Sequence, residues 1–119
     1  MSCLFNSIQY FFSNISSNDI RNKICDYLEN NNKLIDGIDT SELLKMEKNK
    51  NYISNMRNSS TWGGAIEIQA ACNIWNIKII VHNIRDNTSR NIEFIPITGK
   101  INKTIEITWN GGHYEPIKT

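Results

Sequence analysis

The 119-residue chain is expected to fold as one α+β (mixed α/β) domain, with helices from its first half packed on a small sheet from its second. Three observations lead there. Apolar residues recur at helical spacing up to Arg57 and densely from Ala65 to Trp75. From Ile77 onward the apolar residues are mainly β-branched and come in short or alternating runs. No repeat or Gly/Ser/Pro-rich linker divides the sequence, and its length suits one hydrophobic core, so residues 1–119 are expected to form a single domain.

Leu4, Ile8, Phe11, Phe12 and Ile15 fall on one face of a helix that begins just after Cys3. Ser17 or Asn18 can cap a second helix, Asp19 to Glu29, with Ile20, Ile24 and Leu28 as its apolar stripe. Asn30-Asn31-Asn32 reads as a polar turn. From Thr40 to Arg57, Leu43, Leu44, Met46, Tyr52, Ile53 and Met56 give a more polar helical stretch a narrow buried face, with a break near Asn49 to Asn51. Thr61-Trp62-Gly63-Gly64 forms a turn into Ala65 to Trp75. There Ile66, Ile68, Ala70, Ala71, Cys72 and Ile74 cover most of the surface, as expected of a central, buried helix. Ile77 to Ile84 reads as an interior strand, and Asn91 to Ile97 as a second after the turn at Asp86-Asn87. Ile105 to Trp109 alternates cleanly, and Gly111-Gly112 turns the chain into a last strand, His113 to Ile117.

Thirteen basic side chains stand against 12 acidic ones, for a formal net charge of +1. That balance offers no general attraction to phosphate backbones or anionic lipid, so neither nucleic acid nor a membrane is an expected partner. Cys3, Cys25 and Cys72 are too few and too far apart for a disulfide framework or a paired-cysteine zinc site, which points to a reducing compartment and to no metal or organic cofactor. Asn6, Ser7 and Gln9 interrupt the apolar stretch from Leu4 to Phe12, and it has no basic flank. It is therefore neither a signal peptide nor a membrane span, and the chain is expected to be soluble and cytosolic. Abundant Asn, Ile and Lys suggest an AT-rich genome, such as that of a large virus or an intracellular organism.

The chemistry is expected at the two ends of the chain. A thiol in the first turn of a helix faces unpaired backbone N–H groups and the positive end of the helix dipole, both of which favour thiolate. Cys3 is placed for this. His113, after two glycines, can present an imidazole to it, and Glu115, two residues on along a strand, lies on the same face and can orient the ring. Taken singly, each has a plainer explanation: a small apolar residue, a structural or exposed histidine, a solvated carboxylate. His82 reads as structural, and Cys25 and Cys72 as core. The joint pattern is a Cys/His nucleophilic site.

Cys3-Leu4-Phe5-Asn6-Ser7-Ile8 resembles the nucleophile motif of the ovarian tumour (OTU) family of cysteine proteases. Tyr52-Ile53 with Met56, then Trp62-Gly63-Gly64 and Glu67-Ile68-Gln69-Ala70, look like the family's middle block. Ile77 to Asn83 resembles its central strand, and His113-Tyr114-Glu115-Pro116-Ile117 its terminal motif. The blocks occur in family order from Cys3 to Ile117. The resemblance implies a papain-like OTU fold and a monomeric deubiquitinase. Cys3 would attack the carbonyl of the C-terminal glycine of ubiquitin, His113 would act as base and then acid, and Glu115 would be the third member. Ubiquitin or polyubiquitin chains are the implied partners, and the cytoplasm, including that of a host, the implied location. Trp62, Gly63 and Gly64 would line the channel for the Gly-Gly tail, with core packing an equal reading of Trp62. Trp109 reads as packing. Asn110 is a further substrate-side candidate that could shield or polarise the histidine.

The family motif carries Asp-Gly-Asn, or a close variant, directly before the cysteine, where this sequence has Met1 and Ser2. A chain complete at Met1 would rely on the N–H of Cys3 and on Ser2 for its oxyanion hole. Two alternatives follow: a catalytically impaired OTU-like ubiquitin-binding module, or a protease acting on a ubiquitin-like modifier, with contacts sought between Thr40 and Arg57.

Overall fold

The computed structural model of the chain describes residues 3–12, 14–30, 33–35, 38–39, 56–57, 64–84, 91–111 and 113–117. The first helix, α1 (Cys3–Gln9), starts at Cys3 itself and is only 7 residues long. Leu4, Phe5 and Ile8 drive it into the core. It then tightens, with Phe11 N–H bonding the Ile8 carbonyl at 3.1 Å and Phe12 N–H that of Gln9 at 2.9 Å, so Phe11, Phe12 and Ile15 do not extend it. Helix α2 (Ser17–Glu29) begins earlier than the apolar stripe implied. Ser16, not Ser17 or Asn18, is the cap: its extended backbone lets the hydroxyl accept the Asp19 N–H at 3.1 Å.

Arg21 of α2 is buried beside the apolar stripe. Its guanidinium donates to the Met56 carbonyl at 2.7 Å and stacks 4.2 Å above the Phe5 ring. Burial pushes its pKa below the ordinary value, partly offset by the charges of Cys25 and Glu67. The Thr40 to Arg57 stretch lies outside the described residues except at its end. There Met56 is buried and Arg57 bridges Asp26 at 2.7 Å and Glu29 at 2.5 Å on α2. A small antiparallel pair, β1 (Lys33–Ile35) with β2 (Ile38–Asp39), follows α2 in a stretch to which the sequence reading assigned no element.

Helix α3 (Ala65–Trp75) has the expected bounds, and Ile68, Ala70, Ala71 and Cys72 are buried along it. Asn76 ends it in the left-handed region at φ 53°, its N–H bonded to the Cys72 carbonyl. The chain passes at once into β3 (Ile77–Asn83). The main sheet also holds β4 (Asn91–Phe94), β5 (Lys103–Trp109) and β6 (Tyr114–Pro116), in the order β4-β3-β5-β6. β3 and β5 run parallel, Ile77 beside Lys103 through Asn83 beside Trp109, while β4 and β6 pair antiparallel on the two sides. β4 stops at Phe94 rather than Ile97, because Pro96 has no N–H for a ladder and the Ile97 N–H goes to Asn73 Oδ1 at 2.8 Å.

Ile77, Ile79, Val81, Ile105 and Ile107 point to the helices and meet Leu4, Ile8, Ile24 and Ile68 in one core. α1 packs against α2 on one side and β6 on the other. Lys103 of β5 donates to the Phe11 carbonyl at 2.7 Å and caps the far end of the α1 turn. The packing of β6 on α1 brings the first helix and the last described strand together. Among the described residues no helix is long and apolar enough to cross a membrane.

Candidate active site

Cys3 is the first residue of α1, half-buried, and its carbonyl accepts the Ser7 hydroxyl at 2.8 Å. Buried Leu4 and Phe5 follow it directly, so the core sets where the thiol stands. Its backbone N–H, like the others of the first turn, has no acceptor within the helix.

His113 stands just before β6 rather than inside a strand. Asn110 builds the turn that carries it: the Asn110 N–H donates to the His113 carbonyl at 3.2 Å, and the His113 N–H returns to Asn110 Oδ1 at 2.8 Å. Gly111, at φ 103°, lies in a region that side chains avoid, so the turn needs glycine there. Asn110, named above as a substrate-side candidate, therefore has its side-chain oxygen engaged in holding the histidine. His113 Nε2 is 3.4 Å from Glu115 Oε1, with the two side chains 50% and 69% exposed. The same-face relation expected of residues two apart is present.

Tyr114 faces the other way and packs its ring 6.5 Å from that of Trp109, which is itself packed on the core. Burial, and then the negative charges of Cys3 and Glu67, push the Tyr114 hydroxyl above its ordinary pKa. β6, which Tyr114 opens, packs against α1, which Cys3 opens. Of the expected channel residues, Trp62 and Gly63 lie outside the described residues. Gly64 is the N-cap of α3 in extended backbone, its N–H held by Glu67 Oε1 at 2.7 Å. Among the described residues, a Cβ added to Gly64 would come no closer than 3.9 Å, to Glu67 Oε1.

Cys25 and Cys72 are buried core residues, as expected. Burial pushes their thiols up to about 11 and about 12, which leaves them inert at neutral pH. His82 is structural in the same sense, with Nε2 2.8 Å from Glu106 across the β3–β5 pair. Among the described residues no group of three or more side chains is placed to hold a metal ion. Sequence reasoning assigned no role to Tyr114, Glu67 or Arg21. Tyr114 had a signal in its place after the histidine, whereas the burial of the two charges depends on tertiary partners.

The family model described as OTU-like cysteine protease matches residues 2–114. Ubiquitin thioesterase otu2 of Schizosaccharomyces pombe (strain 972 / ATCC 24843) is 29% identical over 131 residues, covering 98% of this chain and 42% of that protein. The chain therefore spans less than half the length of this relative. A solved OTU domain in complex with ubiquitin is similar at a TM-score of 0.75 and 28% identity, over 97% of this chain and 62% of that one. The OTU domain of OTUD1 superposes at a TM-score of 0.74 and 15% identity, over 99% and 79% of the two chains, a likeness of fold alone.

Proposed function

Since the chain belongs to the family of OTU-like cysteine proteases, we propose that it is a cysteine-type deubiquitinase that cleaves after the C-terminal glycine of ubiquitin through an acyl intermediate on Cys3. The observation that carries this reading is the meeting of the chain ends. The helix that opens at Cys3 packs on β6, and at the foot of β6 His113 faces Glu115 at 3.4 Å. The S. pombe relative's name and the OTU domain solved with ubiquitin support the choice of substrate.

With Nε2 turned to Glu115, Nδ1 is the ring nitrogen left to take the proton of the Cys3 thiol. The thiolate adds to the acyl carbonyl, and the Nδ1 proton then passes to the departing amine as the C–N bond breaks. A water, deprotonated by the same nitrogen, adds to the thioester; the C–S bond breaks, releasing the Cys3 thiolate beside the imidazolium and ubiquitin's carboxyl group, which gives its proton to solvent. Glu115 holds the ring and steadies the imidazolium in both halves. Trp62, Gly63 and Gly64 serve as the tail channel, and at Gly64 the missing side chain leaves space for a substrate backbone. Cys3, His113 and Glu115 belong to one chain, so a monomer suffices. The three unpaired thiols suit a reducing compartment such as the cytoplasm.

An electrophilic ubiquitin probe should label the wild-type protein and leave Cys3→Ala untouched. Equal labelling of the two, or labelling of neither, would reject the proposal. In a panel of modifier probes ubiquitin should react fastest; preference for a ubiquitin-like modifier would reassign the substrate.

A further inference from the structure

Glu67, the third residue of α3, is 1% exposed. Glutamate at this helix position commonly caps from the surface, whereas a buried carboxylate is strongly disfavoured unless it is hydrogen-bonded and paired. One partner is the Gly64 N–H at 2.7 Å. Another is the charge of Arg21, equally buried, which Glu67 helps to keep protonated against the effect of burial. Arg21 in turn lies 4.2 Å over the ring of Phe5, two residues along α1 from Cys3. The carboxylate thus ties the start of α3 to Arg21 of α2, which packs in turn on α1.

Resting on the deubiquitinase reading above, we infer that Glu67 is a positioning residue for that reaction: its buried carboxylate fixes the Gly64 backbone relative to the Cys3 helix, where an extended C-terminal peptide tail would pass. Glu67 does not touch the substrate. It acts through Gly64, so its effect falls on how well the tail is seated and leaves the thiol's own chemistry alone.

The experiment compares the wild-type chain with Glu67→Gln, which keeps an acceptor oxygen and loses the charge, Glu67→Ala, which loses both, and Glu93→Gln as a control on β4. Each is assayed with a fluorogenic ubiquitin C-terminal amide and with iodoacetamide at Cys3, and Gly64 amide exchange is followed by NMR. Glu67→Ala should raise KM about tenfold, the effect of one lost hydrogen bond, and unprotect the Gly64 amide. Glu67→Gln should recover most of both, and the iodoacetamide rate should stay at the wild-type value in the two variants. Unchanged KM in Glu67→Ala, or KM and iodoacetamide reactivity moving together in Glu67→Gln, would overturn the inference while the wild-type turnover upheld the deubiquitinase reading. A wild type that turns over no ubiquitin substrate would overturn both.

Discussion

Burial at Cys25 and Cys72 pushes the thiols up to about 11 and about 12, whereas Cys3 stands half-buried at the start of α1. In the native protein at neutral pH, iodoacetamide should therefore modify Cys3 alone, with Cys25 and Cys72 reacting after denaturation; peptide mapping distinguishes the three. The same shifts give stability a pH dependence. A thiol raised in the folded state adds stability while it is protonated in both states, and loses it as pH climbs from the unfolded value, 9.0, to the folded one, about 11 for Cys25. Urea midpoints should fall above pH 9, less steeply in Cys25→Ala. At the proposed site Glu115→Gln should keep the fold and lower kcat about tenfold, the low end for a hydrogen bond to a charged group, because the carboxylate is 69% exposed. Cys3 and His113 stand out in the sequence because a thiol opening an apolar helix and a histidine after a double glycine are local signals. Glu67 was not legible: a lone carboxylate on an apolar helix looks like a solvated face until Arg21 is folded beside it.

The long elements were legible for the same reason. α3 covers almost its whole surface with apolar residues, and β3 and β5, each seven residues long, carry four β-branched residues apiece, so neither needed tertiary context. The β1–β2 pair was not, because strands of 3 and 2 residues are too short to show alternation. Nor was the end of β4, where Asn73 of α3 takes the Ile97 N–H that a longer strand would have used. The α3-to-β3 junction offers a direct test. Asn76 holds φ 53°, and its side-chain oxygen accepts the Thr98 hydroxyl at 2.9 Å. Asn76→Ala should cost about 2 kcal/mol, from left-handed strain and one lost hydrogen bond. Asn76→Gly should cost less, since glycine is at ease there. Chemical denaturation of the two variants separates the backbone part from the side-chain part.

Over the whole molecule, the sheet order puts the oldest and newest segments of the chain side by side: β6, the last strand, is on the edge beside α1, the first helix. Membership of the OTU-like cysteine protease family and the α+β architecture both agree with the order of blocks along the sequence. That order could be read because each block sits on its own element. The sheet order itself, in which β5 passes to the far side of β3 from β4, leaves no local trace in the residues. β6 is three residues long and, among the described residues, pairs with β5 alone. Its fraying would carry His113, the proposed general base, out of place while the α1–α2–α3 core and the β3–β5 pair stayed intact. On heating, turnover should accordingly fade several degrees below the midpoint seen by circular dichroism, and coincident curves would show that β6 melts only with the core. A protein arranged in this way would be switched off reversibly by mild warmth, resuming work on cooling without ever having passed through the unfolded chain.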